Sequence, residues 1–107
     1  MFGNMFDIVG KIGEAKKNVE KARKDLDELI IDAEAGNNQV KVSVTGNRAL
    51  KSLWIDDALL QDKEMLEDYL MLALNKALAE AGKKQEEALK KAAKDAMPNI
   101  PGLDGLI

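Results

Sequence analysis

The chain has 107 residues, a formal net charge of −3, no cysteine and no histidine. These absences exclude disulfides and thiolate chemistry, and they remove the most common general base and metal ligand. Only Ser43, Thr45 and Ser52 carry an aliphatic hydroxyl group, and the sequence offers no base to activate one. We therefore expect no enzyme, no cofactor, no metal site and no small-molecule substrate.

The length of the chain favours one domain over residues 1–107 that acts as a homodimer. A domain of this size buries only about two-thirds of the surface that its unfolded chain exposes. Two long helices would thus leave apolar surface for a second copy to cover. No segment approaches the run of about 20 apolar residues that spans a membrane, so we expect a cytoplasmic protein without membrane contacts.

The first predicted element is a helix over residues 4–28. Its apolar residues recur in alternating steps of three and four, which is typical of a helix that packs along one narrow seam. Lys16 and Arg23 share one position of this heptad, and Lys17 and Lys24 share the next one. The seam consists of Met5, Ile8, Ile12, Ala15, Val19, Ala22, Leu26 and Leu29.

The hydrophobic period then changes from 3.6 to 2, which indicates strands. Glycine and asparagine at Gly36–Asn38 and at Gly46–Asn47 tolerate left-handed backbone and predict two turns. We expect a three-stranded antiparallel meander with strands over residues 30–35, 39–45 and 49–55.

The third strand carries a tryptophan on its outward face. Leu53 and Ile55 share one face of the strand, so Trp54 points to the other face. Trp54 either lies under its own chain or anchors a dimer interface, where tryptophan is enriched, and we favour the interface. The candidate dimer contacts are Val40, Val42, Val44, Leu53, Trp54 and Ile55.

Asp62 is a favourable N-cap for a second long helix over residues 63–96, whose first turns are acidic. Met97–Pro98 ends this helix, and residues 97–107 are expected to form a flexible tail. The predicted fold class is α+β: helix, three-stranded antiparallel β-meander and long helix in two layers, homodimeric, with projecting helices.

The charges are segregated along the chain. Residues 11–24 carry six basic and two acidic side chains, a net +4, and residues 83–94 carry five basic and two acidic ones, a net +3. Residues 25–68 carry four basic and eleven acidic side chains, a net −7. The basic stretches are explained either by ordinary solvation and i, i+4 pairs or by binding of phosphate groups.

The central block carries three phrases: Val40-Lys41-Val42-x-Val44-x-Gly46, then Leu53-x-Ile55-Asp56-x-x-Leu59-Leu60, then the continuous run of residues 62–68. With Met1-Phe2-Gly3 and Pro101-Gly102, this pattern resembles the YbaB/EbfC family of nucleoid-associated proteins. The resemblance implies a helix, a three-stranded sheet and a helix, assembled as a homodimer whose helices project like tweezers. It also implies binding of DNA with little sequence preference.

The resemblance and the charge pattern together suggest a cytoplasmic, nucleoid-associated homodimer whose partner is double-stranded DNA. The alternative is a coiled-coil-like adaptor that binds another protein and no nucleic acid. The ratio of absorbance at 260 and 280 nm of the purified protein would separate the two. The candidate DNA-binding residues are Lys16, Lys17, Lys21, Arg23, Lys24, Lys83, Lys84, Lys90, Lys91 and Lys94.

Overall fold

The computed structural model describes residues 2–96, and it describes side chains over residues 9–95. The predicted order of helix, three strands and helix is confirmed, and every boundary agrees within two residues. A short 3-10 helix before the second long helix was not predicted. The predicted tail, residues 97–107, lies outside the described residues. The elements are α1 (Phe2–Glu28), β1 (Ile30–Ala35), β2 (Val40–Thr45), β3 (Leu50–Ile55), the 3-10 helix (Asp57–Gln61) and α2 (Lys63–Ala96).

The three strands form one antiparallel sheet in the order β1-β2-β3. Val42 at the centre of β2 lies opposite Ala33 of β1 and Leu53 of β3, so these three side chains share the inner face. Lys41 lies opposite Trp54, which places Trp54 on the outer face, as predicted. Because β2 pairs on both sides, β3 is an edge strand with one row of unpaired backbone groups.

The core lies between the inner face of the sheet and α2. Ala73, Ala77 and Ala81 follow one another at four-residue spacing and therefore share one face of α2. All three are fully buried, and small side chains at these positions let the helix lie close to the sheet. The opposing core residues are Ile31, Val40, Val42, Val44 and Leu59. Helix α2 packs on β1 and β2, and β3 extends beyond its cover.

Helix α1 and the sheet lie end to end along α2. Leu29 alone separates α1 from β1, so α1 continues away from the sheet. A helix of 34 residues is about 51 Å long, so the first half of α2 covers the sheet and the second half packs antiparallel to α1. The molecule measures 72 × 24 × 16 Å, with a radius of gyration of 19.9 Å, where a compact chain of this length has about 13 Å.

The β1–β2 turn has the left-handed backbone that its sequence predicts. Gly36, Asn37 and Asn38 have φ values of +64°, +54° and +69°. Glycine is also required here for space, because a Cβ atom at Gly36 would lie 2.3 Å from the ring of Tyr69 on α2. This turn therefore closes directly over α2.

The β2–β3 turn differs in detail from the prediction. Within it, the left-handed residue is Arg48, with φ +65°, and Gly46 does not have positive φ. Gly46 is instead needed for close approach: its N–H donates to the carbonyls of Leu26 at 2.9 Å and Leu29 at 3.0 Å. A Cβ atom at Gly46 would lie 2.7 Å from the Leu26 side chain. Gly46 thus joins the end of α1 to the sheet.

Two aspartates begin the helices that follow β3. The Asp62 carboxylate accepts a hydrogen bond from the Met65 N–H at 3.1 Å, which confirms Asp62 as the N-cap of α2. The Asp56 carboxylate accepts one from the Ala58 N–H at 2.9 Å and caps the 3-10 helix. Both carboxylates satisfy backbone donors that have no partner within their helices.

Candidate nucleic-acid interface

The C-terminal halves of α1 and α2 form a helical hairpin that projects from the sheet, referred to below as the arm. The seam of α1 faces α2, and its burial rises toward the sheet: Val19 and Ala22 are half-buried and Leu26 is buried. Farther out, Ile12 is 53% exposed. The apolar seam of α1 therefore packs against α2 near the sheet, and its side chain at Ile12 is exposed farther out.

Asn47 of the β2–β3 turn fixes the base of the arm. Its side-chain N–H₂ donates to the backbone carbonyl of Arg23 at 2.8 Å and to the carboxylate of Asp27. Its side-chain oxygen accepts a 3.2 Å hydrogen bond from Gln85 of α2. One side chain thus holds both helices of the arm against the sheet.

All ten cations that the sequence analysis selects as candidate DNA contacts have exposed side chains on the arm. Lys90 lies 3.3 Å from the Glu86 carboxylate in an i, i+4 ion pair whose side chains are at least half exposed. Such a pair contributes little to stability, and solvent competes with it. Within residues 9–95, no ion pair engages Lys16, Lys17, Lys21, Lys24, Lys83, Lys84 or Lys91.

The lysines in the second half of α2 occupy one side of the helix. Successive helical residues are about 100° apart, and every lysine between residues 76 and 94 falls within an arc of about 120°. Glu80 and Glu87 are the acidic residues in the same arc. We call this set the α2 stripe; it consists of Lys76, Lys83, Lys84, Lys90, Lys91 and Lys94.

The α2 stripe faces the β1 side of the molecule. The Lys76 ammonium donates to the backbone carbonyl of Glu34 in β1 at 3.1 Å. Farther along the arm, Lys91 lines a groove between the helices together with Lys21, and Asp25 and Asp95 lie in the same groove. Lys76 is not among the predicted DNA contacts, because it lies between the two basic stretches 11–24 and 83–94.

A second group of cations faces the β3 side. The Arg48 side chain lies against Gly82 of α2. Its Cδ and Nη1 atoms are 3.7 and 3.8 Å from the position that a Cβ atom at residue 82 would occupy. Arg23 is beside the same turn, since its carbonyl accepts from Asn47, and Lys16 lies two helical turns farther out on the same stripe. Arg48 was also missed, because it lies within the stretch 25–68, whose net charge is −7. Lys16, Arg23 and Arg48 are called the β3-side cluster.

The structure divides the six candidate dimer contacts into two groups. Val40, Val42 and Val44 are at most 2% exposed, because α2 of their own protomer covers them. Their side chains are therefore not on the surface of the protomer. Leu53 and Trp54 are 46% and 50% exposed. Ile55 is half-buried.

An apolar groove runs along the edge strand β3. Its floor is the part of the inner face that α2 does not cover, with Leu50 and Leu53 exposed by 56% and 46%. Its wall is the flank of α2 that carries Met71 and Leu78, which are 57% and 37% exposed. Met71, Leu78 and Gly82 share one helical stripe, and Arg48 of the β2–β3 turn touches Gly82. We call this surface the β3 groove.

Trp54 lies on the opposite face of the same strand. The ammonium of Lys41 is 5.4 Å from the centre of its ring, within the range of a cation–π interaction. No helix of the described chain packs on this outer face to the extent that α2 packs on the inner face. Trp54 is therefore covered in part by its cross-strand neighbour, and half of its surface stays open.

Over the described residues, no group of acidic side chains has the arrangement of a metal site. None of the helices described for residues 2–96 is both long and apolar enough to cross a bilayer. The arm presents a set of exposed cations on two packed helices, and this chemistry suits a polyanion.

Comparison with known proteins gives a consistent result. The model of the YbaB/EbfC DNA-binding family matches residues 1–97. A nucleoid-associated protein of Flavobacterium johnsoniae is 42% identical over 103 residues, which cover 96% of this chain and 97% of the relative. A nucleoid-associated protein of Psychrobacter sp. strain PRwf-1 is 42% identical over 94 residues, covering 87% of this chain and 84% of the relative.

A solved structure shows the same fold. The crystal structure of an uncharacterised protein from Helicobacter pylori superposes with a TM-score of 0.73 at 31% identity, covering 75% of this chain and 86% of that one. The family match extends over nearly the whole chain and includes both helices of the arm. The chain therefore belongs to the YbaB/EbfC DNA-binding family.

Proposed function

We propose that this protein binds double-stranded DNA as a homodimer with low sequence specificity and acts in the nucleoid. The observation that carries the proposal is the separation of charge in the fold: the basic stretches 11–24 and 83–94 form the arm, whereas the acidic residues 25–68 form mainly the sheet body. A duplex would be attracted to the arm and repelled by the body. Membership of a DNA-binding family and the names of the relatives support the same conclusion.

The chemistry of the arm favours contacts with phosphates over readout of bases. Its cations are almost all lysines, which bind phosphate as flexible point charges. Contacts with phosphate position a protein on DNA but carry no sequence information. Low specificity therefore follows from the residue types that the arm presents.

The β3 groove supports the proposed homodimer. Four large apolar side chains on two elements are left exposed beside an unpaired strand edge, and exposed surfaces of this kind mark interaction sites. We place Leu53, Ile55 and Trp54 in the interface with Leu50, Met71 and Leu78. A second protomer at this groove would cover these apolar side chains and the open edge of β3.

A salt series tests DNA binding directly. The affinity of the wild-type protein for a labelled duplex should fall steeply with salt, because each neutralised phosphate releases a counterion and contributes about −0.9 to the slope of log K against log salt. Lys17→Glu with Lys24→Glu should weaken binding at least tenfold and reduce the slope by about 2.

The control is Gln61→Glu with Lys63→Glu, which lowers the net charge by 3, against 4 for the arm variant, at exposed positions beside the sheet. Lys63 is 21 residues from Lys84 along α2, about 31 Å. We expect this control to bind within threefold of the wild type. An affinity for the duplex that does not change with salt concentration would refute the proposal. An equal loss of affinity in both double variants would refute it as well.

One observation favours the alternative function, a helical adaptor for another protein. Val9 and Ile12 are 65% and 53% exposed at the outer part of the seam of α1, where a partner helix has room to lie. In this case the purified protein carries no nucleic acid, and its absorbance ratio at 260 and 280 nm is that of protein alone. The salt series would then show no binding of the duplex.

A further inference from the structure

Helix α1 extends farther from the sheet than α2 does. Asn18 of α1 and Asp95 of α2 line the outer end of the groove between the two antiparallel helices, and α2 ends at Ala96. Helix α1 begins at Phe2, so about 16 of its residues, roughly 24 Å of helix, lie beyond the level of Asn18. We call residues 2–17 the outer stretch of α1. Helix α2 ends before most of this stretch.

The outer stretch has one exposed apolar side. Val9 and Ile12 are 65% and 53% exposed at the seam. The opposite side carries Gly10 and Gly13, and a Cβ atom at either position would meet nothing within 4 Å. Glycine lowers helix propensity, and a helix of this length is marginal in water when nothing packs on it. A partner on the apolar side would therefore stabilise the outer stretch.

Eleven residues follow the end of α2, and their sequence suits an extended segment. Pro98 and Pro101 do not continue an α-helix, and proline favours polyproline II backbone, which has three residues per turn and rises about 3.1 Å per residue. Residues at a spacing of three share one side of such a segment. The apolar residues at this spacing are Met97, Ile100, Leu103 and Leu106.

The position at which α2 ends directs this segment to the exposed seam. The helices are antiparallel, so the chain leaves Ala96 toward the N-terminus of α1, on the side of α1 that α2 covers. Ile12 is six residues from Asn18, about 9 Å along the axis of α1. Four residues of polyproline II backbone span about 12 Å, which brings Ile100 level with Val9 and Ile12. The repeat of about 9 Å along the segment is close to the roughly 10.5 Å between seam positions seven residues apart.

We infer that residues 97–107 pack on the outer stretch of α1 of their own chain, with Ile100 against Val9 and Ile12. The contact removes apolar surface of both segments from water. A second protomer or another protein is a weaker candidate for this surface, because a segment tethered so close to it has an effective concentration in the millimolar range. This placement differs from the flexible tail that the sequence predicts, and it does not depend on DNA binding.

The chain contains no cysteine, which permits a test with paired cysteines in the full-length protein. Ile12→Cys with Ile100→Cys places one thiol on each side of the contact. The control is Gly10→Cys with Ile100→Cys, whose first thiol lies on the opposite side of α1 in open space. Mild oxidation is followed by mass spectrometry and non-reducing electrophoresis. We expect the intramolecular disulfide to form at least tenfold faster in the first variant, because a disulfide requires Cα atoms within about 7 Å of each other.

Hydrogen exchange measures the same contact without a cross-link. Ile100→Ser with Leu103→Ser should raise the exchange rate of the backbone amides in residues 2–17 at least tenfold, because the outer stretch loses its cover. The control is Asn99→Ser with Asp104→Ser, which changes two residues outside the apolar repeat and should leave these rates within twofold of the wild type. All four substitutions lie outside the core between the sheet and α2, and circular dichroism checks that both variants are folded.

The outcomes separate the possible occupants of the seam. Equal rates of disulfide formation in the two cysteine variants, or equal exchange rates in the two serine variants, would overturn the inference. Disulfides that join two chains would assign the seam to a second copy, and so would exchange in residues 2–17 that becomes faster when the protein is diluted. Protection of residues 2–17 that appears only when another protein is added would assign the seam to that partner.

Discussion

The side-chain amide of Gln85 donates a 3.2 Å hydrogen bond to the side-chain oxygen of Asn47, and this contact links α2 to the β2–β3 turn. The amide nitrogen of the same Asn47 donates to Arg23 and Asp27 of α1. Asn47 therefore contacts both helices of the arm, in addition to the Gly46 hydrogen bonds that join the end of α1 to the sheet.

The first prediction concerns the stability of this junction. Asn47→Ala removes hydrogen bonds to three residues and should lower the free energy of unfolding by about 2 kcal/mol, whereas Gln85→Ala should lower it by about 1 kcal/mol. Urea unfolding followed by circular dichroism measures both values. The control is Asn75→Ala on an exposed position of α2, and we expect no loss there. An Asn47→Ala variant as stable as this control would show that the junction contributes nothing.

The second prediction concerns Gly36. Gly36→Ala places a methyl group 2.3 Å from the Tyr69 ring at a residue with φ +64°, so steric overlap adds to backbone strain. We expect a loss of at least 2 kcal/mol in the free energy of unfolding. In the Tyr69→Ala background the same substitution should cost about 1 kcal/mol, the strain alone. Equal costs in both backgrounds would contradict the contact with Tyr69.

The sequence predicts the elements well because their periods are strong. The seam of α1 and the alternation of Val40, Val42 and Val44 each repeat often enough to define a helix and a strand. The N-cap at Asp62 was predictable because capping depends on one local side chain. What periodicity does not give is the register between elements that are far apart in the sequence.

Contacts between distant residues explain the predictions that were incomplete. Position 46 requires glycine because Leu26 of α1, 20 positions away, lies too close for a Cβ atom. No local sequence pattern indicates this contact. The three β2 valines are buried under α2 of their own protomer, and an alternating strand has the same pattern whether a helix or a second protomer covers it. The predicted DNA contacts omitted Lys76 and Arg48 because net charge was counted along continuous stretches of sequence. In the fold, cations from three separate segments lie together on the arm.

The third prediction tests the contribution of Arg48 to DNA binding. Arg48→Asn removes the cation and keeps a residue type that tolerates left-handed backbone. We expect affinity for a duplex to fall about threefold to tenfold and the salt slope to decrease by about 1. Lys63→Asn makes the same change of charge at the start of α2 and should bind within twofold of the wild type. Identical salt slopes for Arg48→Asn and the wild type would exclude a phosphate contact at this residue.

The fourth prediction tests the β3 groove as the dimer interface. Leu53→Glu puts a charge on the floor of the groove, and burial of an unpaired charge opposes association. Light scattering at micromolar concentration should show a monomer. Val9→Glu makes the same kind of change at a side chain that is 65% exposed on α1, 19 residues and about 28 Å from the end of that helix, and it should remain dimeric. If Leu53→Glu is a dimer, or if both variants are monomers, the groove is not the specific interface.

The fifth prediction concerns the close approach of α2 to the sheet, on which the position of the arm depends. Ala77 is fully buried between two other buried alanines, so Ala77→Leu adds volume where none is free. Overpacking of this kind costs about 1–3 kcal/mol of unfolding free energy. Ala79→Leu adds the same volume at an exposed position of the same helix and should change stability by less than about 0.5 kcal/mol. Because Ala77→Leu moves α2 away from β1 and β2 while the charges of the arm stay unchanged, duplex binding should weaken less than it does in Lys17→Glu with Lys24→Glu. A stable Ala77→Leu variant would mean that α2 does not lie as close to the sheet as the buried alanines require.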